Sequence, residues 1–236
     1  MRILAFDTAT AATAVALLDT DESIELEARD DPAAGARPGH TRRLLTLIAA
    51  VVDQTGGWDP VDRIAVGVGP GTFTGLRIGI ATAQALARSR GLPLVGVHTL
   101  TSLAYAAHAA ERPRLALIDA RRGELFAAGW PAGADPSTAA AAIGPLVLAP
   151  ERLGDVVAEL RETPLAIGDG AIKFSPMLER AGAAVPPESS PLHRVSALSH
   201  CALAARSPDP GEPPEAVRPL YLRLPDAELG RRGSAS

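Results

Sequence analysis

Residues 63–80 read RIAVGVGPGTFTGLRIGI: an apolar run, glycines at 67, 69 and 71 around Pro70, then a helical pattern. Glycines between a strand and a helix often cradle phosphates, so their spacing decides what kind of α/β protein this is. A P-loop needs G-x-x-x-x-G-K-[ST], and no lysine occurs between 63 and 80. A dinucleotide fingerprint needs G-x-G-x-x-G and a later acid. Thr74 stands where the third glycine belongs, and Ser89-Arg90-Gly91 supplies no acid. Neither phosphate site survives. The remaining reading is structural: Gly67, Gly69 and Gly71 permit a tight, left-handed path, and Thr72 or Thr74 caps the helix. In that helix Gly75, Gly79, Ala83 and Ala87 recur every four residues. They form a stripe without bulk, against which another backbone can approach closely. A mid-helix glycine such as Gly79 costs about 1 kcal/mol against alanine, and close packing is a physical reason to retain it. Alanine-rich composition is the lesser rival explanation for the alanines, and a weaker one still for the two glycines.

Outward from this stretch, residues 2–6 and 13–18 read as a hairpin around Asp7-Thr8-Ala9-Thr10, and 22–29 as a third strand. From His40 to Gln54 the period becomes helical, with Leu44, Leu45, Ile48, Val51 and Val52 on one side. A strand at 61–68, a helix at 74–89, a strand at 92–97 and a helix at 100–110 capped by Thr99 complete a first α/β unit with a mixed sheet. The second half begins as the first does. RLALIDARRGELFAAGW sets beside ILAFDTATAATAVALL with Asp119 on Asp7, an offset of 112 residues. A strand at 143–148, a helix at 151–161, a strand at 164–168 and helices at 170–181 and 196–206 follow. Residues 131–142 read as an alanine-rich embellishment, and the tail 225–236, without apolar periodicity, as disordered. The chain is expected to divide into lobes at 1–110 and 111–224.

The 236 residues carry a formal net charge of −4, with no basic excess in either half, so a stand-alone nucleic-acid binder is not indicated. A single Cys201 in the apolar HCALAA excludes a disulfide framework and reads as a buried, inert thiol. MRILAFD reaches an acid before any long apolar segment, and no run of 18 residues suits a bilayer. A soluble, cytoplasmic protein is expected, without a membrane partner.

Catalytic constellations are thin. His40, His98, His108, His193 and His200 form no H-E-x-x-H or comparable metal set, and there is no G-x-S-x-G elbow. Asp7, Asp119 and Asp169 each follow an expected strand. Acids there can hold magnesium at a cleft, and they serve equally as ordinary turn residues.

Taken together, ILAFDTAT, GHTRRLLTLI, GVGPGTFTGLRIGIATAQALA, DARRGELF, IGDGA and PLYLR resemble the TsaB (YeaZ) family over most of residues 3–223. His40-Thr41 replaces the His-Ser usual in such sequences and keeps the hydroxyl. The resemblance implies two ribonuclease-H-like lobes of the actin, sugar kinase and Hsp70 (ASKHA) superfamily. It implies a non-catalytic accessory subunit that binds a TsaD-like catalytic paralogue, with a TsaE-like ATPase joining the assembly. That assembly transfers threonylcarbamoyl to the adenosine beside the anticodon of ANN-decoding tRNAs, and tRNA is met only through the complex. The helix after His40 lacks the second histidine of the paralogue's metal pair, so no metal or other cofactor is expected. Asp7, Thr8, Asp119 and Asp169 would then line a vestigial cleft. The Asp7–Thr10 turn has no basic residue for phosphate, so weak or absent ATP binding is expected of the lone chain. In the family the partner is met through helices of the kind expected at 41–54 and 74–89. That makes Leu44, Ile48, Val51, Gly75, Gly79 and Ala83 the candidate partner-binding residues, with a homodimer as competitor on the same surface. A nucleotide-dependent phosphotransferase or a glycoprotease-like hydrolase is the rival function.

Overall fold

The computed structural model describes residues 1–33, 35–208, 211 and 213–223; the expected tail at 225–236 lies outside them. The chain opens with an antiparallel meander of β1 (Arg2–Asp7), β2 (Thr13–Asp19) and β3 (Ile24–Asp30). After α1 (His40–Asp53), β4 (Arg63–Gly69) adds parallel to β1. Then α2 (Phe73–Arg90) returns the chain to a parallel β5 (Leu94–His98), and α3 (Thr99–Ala106) follows. The first sheet has the order β3-β2-β1-β4-β5. The second half gives β6 (Arg114–Arg121), β7 (Glu124–Trp130), β8 (Ile143–Leu148), α4 (Leu153–Glu159), β9 (Leu165–Ile167), α5 (Asp169–Lys173), α6 (Ser175–Arg180) and α7 (Ala197–Arg206). Its sheet runs β8-β7-β6-β9, the same arrangement as β3-β2-β1-β4. Both are mixed sheets flanked by helices.

Each sheet is covered on both faces at its centre, so β1, β2, β4, β6 and β7 are almost wholly buried, while the edge strand β3 keeps Glu25 and Glu27 exposed. On the outer face of the first, Leu4, Phe6, Val15, Leu17, Ile64 and Val66 pack under α1 and α2. The inner face is made of small side chains, Ala5, Ala14, Ala16 and Ala65, which let Ala197, Cys201 and Ala204 of α7 come close. Alanines that weaken the strand signal thus have a packing role. Cys201 is fully buried, its Sγ 3.3 Å from the Ile3 carbonyl, and burial pushes its thiol up. The second sheet mirrors this, with α4 and α6 outside and α3 inside. Helices α3 and α7 pack on each other and form the middle layer between the sheets.

Three expectations need correction. The helix expected at 170–181 is two short helices that meet at Phe174, with a proline in the first turn of α6, where its missing N–H does no harm. Thr99 does not cap α3; it is already helical, and its hydroxyl goes to Asp7. Of the loop glycines, only Gly69 (φ +101) is left-handed. Gly67 and Gly71 are needed for space: a Cβ on either would overlap Asp7 or Ala9. Thr72 does stand at the N-cap of α2, but its side chain makes no capping bond. Thr74 is exposed in the first turn.

The small-residue stripe faces inward. A Cβ on Gly75 would meet the Thr8 carbonyl, and one on Gly79 the Thr8 hydroxyl, each closer than the 3.0 Å that real Cβ atoms essentially never breach. Ala83 is fully buried. Leu44, Ile48 and Val51 are likewise 2% exposed or less, in the core beneath α1. As partner-binding side chains these six are therefore misassigned: their own sheet and hairpin occupy them. The outward faces of the same helices carry Leu45, Ala49, Ala50, Ala81 and Ala85.

Residues 131–142 are more than an embellishment. The guanidinium of Arg114, the first residue of β6 and 1% exposed, donates to the carbonyls of Pro131, Ala134 and His108. Trp130 Nε1 donates to Ala139 O at 3.1 Å. At the opposite end of the chain Arg2 ties β1 to Asp19, Glu22 and the Thr55 carbonyl.

Two stability tests follow from this packing. Gly79→Leu should lower the melting temperature by roughly 3–10 °C, because overpacking costs about 1–3 kcal/mol in a chain of this size. Ala81→Leu, on the exposed face, should leave the melt unchanged. The Arg2 bond holds the Asp19 carboxyl at about 2, below the ordinary 3.8. A lowered folded value means the pair stabilises the native state above about pH 4 and the gain disappears as pH falls toward 2. Asp19→Asn should therefore destabilise at pH 6 and show a shallower loss between pH 4 and 2, measured by urea melts across that range.

Candidate functional site

The first hairpin carries two of the residues expected to line a vestigial cleft, so the partners of Asp7 and Thr8 decide the chemistry. Asp7 ends β1 and is 1% exposed. Its Oδ1 accepts the Ala9 amide at 2.7 Å and its Oδ2 the Thr99 hydroxyl at 2.9 Å. The same Oδ2 lies 3.1 Å from Nε2 of a fully buried His200. Burial alone would push this carboxyl up. The His200 imidazole and the Ala9 and Thr99 bonds outweigh it and hold Asp7 below its ordinary value. Thr8 is also buried, and its hydroxyl donates to the Gly75 carbonyl at 2.8 Å. Both side chains are spent on the fold. The residues present do not fit a magnesium nucleotide at this turn, since the carboxylate and hydroxyl that would meet it face inward.

His200 also places Nδ1 2.9 Å from Ser102 Oγ and 3.0 Å from the Ser196 carbonyl. Aspartate, histidine and serine thus lie in a row, as in a hydrolase triad. The ring is reversed, with Nδ1 toward serine and Nε2 toward aspartate. Ser102 is wholly buried and 3.3 Å from the Ser196 carbonyl, so no substrate reaches it. The row is a strut that joins β1, α3 and α7.

The other two acids stand apart from Asp7. Asp119 Oδ1 accepts Lys173 Nζ and the Arg121 amide, each at 2.9 Å. Asp169 accepts the Asp119 amide at 3.0 Å, and burial with the neighbouring Asp119 charge pushes its carboxyl up. Asp169 also lines a cavity of about 290 Å³ with Thr10, Arg29 and His193. Asp119 and Asp169 are therefore one cluster, and Asp7 belongs to another. Among the described residues no three His, Cys, Asp or Glu side chains converge on a possible metal position.

Sequence reasoning missed His200 and Ser102, whose signals were no more than polar residues in apolar stretches. It also grouped Leu45 with Leu44 and Ile48, whereas Leu45 lies on the exposed side of α1 at 59% exposure.

Comparison with known proteins places this arrangement. Residues 33–181 match the family profile described as "TsaD: tRNA N6-adenosine threonylcarbamoyltransferase". The solved YeaZ from Pseudomonas aeruginosa is 30% identical, superposes with a TM-score of 0.74, and is covered over 99% of its length by 94% of this chain. The Escherichia coli tRNA threonylcarbamoyladenosine biosynthesis protein TsaB is 42% identical over 133 residues, 53% of each chain. This chain thus spans about half the length of that relative and of its Haemophilus influenzae counterpart. An uncharacterized Mycobacterium tuberculosis protein is 30% identical over 96% of this chain and 93% of its own. The profile match relates the chain to the family described as tRNA N6-adenosine threonylcarbamoyltransferase. The chain belongs to the TsaB (YeaZ) family. No helix among the described residues is long and apolar enough to cross a membrane.

Because Asp7 is buried against His200, removing one partner strands the other. His200→Ala should destabilise by about 3 kcal/mol. The double variant Asp7→Asn/His200→Gln should recover part of that loss, read as the coupling energy of a double-mutant cycle in denaturant melts.

Proposed function

We propose that this chain is the non-catalytic accessory subunit of a tRNA threonylcarbamoyladenosine assembly. In this reading it has an ASKHA-type fold that has lost its own nucleotide chemistry. It works in the cytoplasm and supports a TsaD-like paralogue that transfers threonylcarbamoyl to the adenosine beside the anticodon of ANN-decoding tRNAs. The observation that carries the reading is the fate of the first hairpin: Asp7 and Thr8, the groups a nucleotide would need, are committed to Thr99, His200 and Gly75. Membership of the TsaB family supports the accessory role, as does the buried, reversed Ser102–His200–Asp7 row, which offers a hydrolase nothing to work with.

The partner would be met by the outward faces of α1 and α2 rather than by their buried stripes. Those helices pack side by side, and their free faces set the small Thr46, Ala49, Ala50, Ala81 and Ala85 beside Leu45, with the exposed Arg42, Arg43, Arg77, Arg88 and Arg90 on the same helices. Small residues let a second helix pair approach closely, and one exposed leucine supplies an apolar anchor. A second copy of this chain would compete for that surface, and a TsaE-like ATPase would join the heterodimer.

Threonylcarbamoyl transfer to tRNA, assayed with the TsaD-like paralogue with and without this chain, is the direct test. Transfer should collapse when the chain is omitted. Leu45→Asp should weaken the complex at least roughly tenfold on size exclusion while leaving the melt unchanged. Leu44→Ala should instead lower stability by about 2–5 kcal/mol. Hydrolysis of ATP or peptide by the chain alone, at ordinary enzyme rates, would overturn the accessory role.

A further inference from the structure

Between the glycine-rich loop and the turn of the second hairpin lies a cavity of about 410 Å³, bounded on its third side by residues 220–223. Its character differs from the rest of the molecule. Arg121, Arg122 and Arg223 line it with a single carboxylate among the described lining residues, Asp119, which pairs with Lys173 at 2.9 Å and with Arg121 at 3.6 Å, while Arg223 pairs with Glu124 at 2.6 Å. Arg77 stands at its edge, 3.8 Å over the ring of Phe73, with Nε 3.3 Å from the Tyr221 hydroxyl. Phe73 and Tyr221 lie 5.1 Å apart and tilted by 31°. Tyr221 is 39% exposed; with Leu45 it makes up the large apolar side chains left in water among the described residues. A chain of net charge −4 has gathered arginines and an open aromatic face in one place.

The tight β6–β7 turn sets two of these arginines at its tip. Arg121 and Arg122 adopt left-handed backbone, φ +64 and +53, just before Gly123, and for Arg122 a two-residue hairpin turn requires it. The Thr72 hydroxyl, which makes no capping bond, lines the same cavity.

Guanidinium groups pair with phosphate, and an exposed aromatic ring stacks on a nucleobase. We propose that this cavity takes one nucleotide of a single-stranded RNA segment. The base lies on the Tyr221 face and the phosphate against Arg121 and Arg122. The preference for RNA rests on the function proposed above; the cavity and its chemistry do not.

The test uses the purified chain alone at low salt, titrated with a fluorescein-labelled five-residue oligoadenylate, with AMP and with inorganic phosphate. The oligonucleotide should bind in the micromolar range, at least roughly tenfold tighter than AMP or phosphate. Tyr221→Ala should weaken it roughly tenfold, whereas Tyr221→Phe, which keeps the ring, should not. Arg121→Gly, whose left-handed backbone glycine adopts freely, should lower the slope of log K against log salt by about one while the chain stays folded in a thermal melt. Absence of oligonucleotide binding, AMP or phosphate binding equally well, or indifference to both Tyr221→Ala and Arg121→Gly would each overturn the proposal. Because no partner is present, failure here is distinct from failure of the chain to support threonylcarbamoyl transfer.

Discussion

The backbone of α2 rests directly on the first hairpin, and the rest of the molecule is arranged around that contact. Two glycines one turn apart, Gly75 and Gly79, leave room for the Thr8 carbonyl and side chain, and the Thr8 hydroxyl bonds back to Gly75. Once the helix is seated, β4 lies beside β1, and the missing side chain at Gly67 leaves space for the Asp7 carboxylate. Asp7 then reaches Thr99 at the start of α3 and His200 in the middle of α7. Those two helices form the layer between the sheets. One close approach on the outer side of a sheet thereby sets the helices on its inner side, through a single buried carboxylate.

Much of this was legible in the sequence. Apolar runs with turn residues between them located all nine strands, and the alignment of Asp7 with Asp119 marked two hairpins that occupy equivalent places in sheets of the same order. Periodicity has a limit, however. It tells which residues share a face of a helix and is silent on what lies opposite. Gly75, Gly79 and Ala83 were correctly grouped and wrongly aimed, as were Leu44, Ile48 and Val51. The break at Phe174 was hidden because the residues on both sides continue an apolar pattern. Asp7 was recognised as special from its place after a strand. Its partner, 193 residues later in sequence, could not be found by spacing, since a side-chain contact across the fold leaves no local pattern.

The two outward-looking features share a logic. Both are places where the chain tolerates something a monomer would avoid: Leu45 in water on α1, and Tyr221 in water beside two arginines. At the first hairpin, by contrast, Asp7 and Thr8 are drawn inward and serve as structural ties.

The layered order has a consequence for synthesis. The inner face of the first sheet is Ile3, Ala5, Ala14, Ala16 and Ala65, and its cover is Ala197, Cys201 and Ala204. Nearly the whole polypeptide must therefore leave the ribosome before the earliest strands are shielded on both sides. Until then an alanine-lined face waits bare, and Asp7 waits without its histidine. A nascent chain halted before α7 holds every strand and cannot close on itself, which makes it a natural client for chaperones that bind exposed sheet.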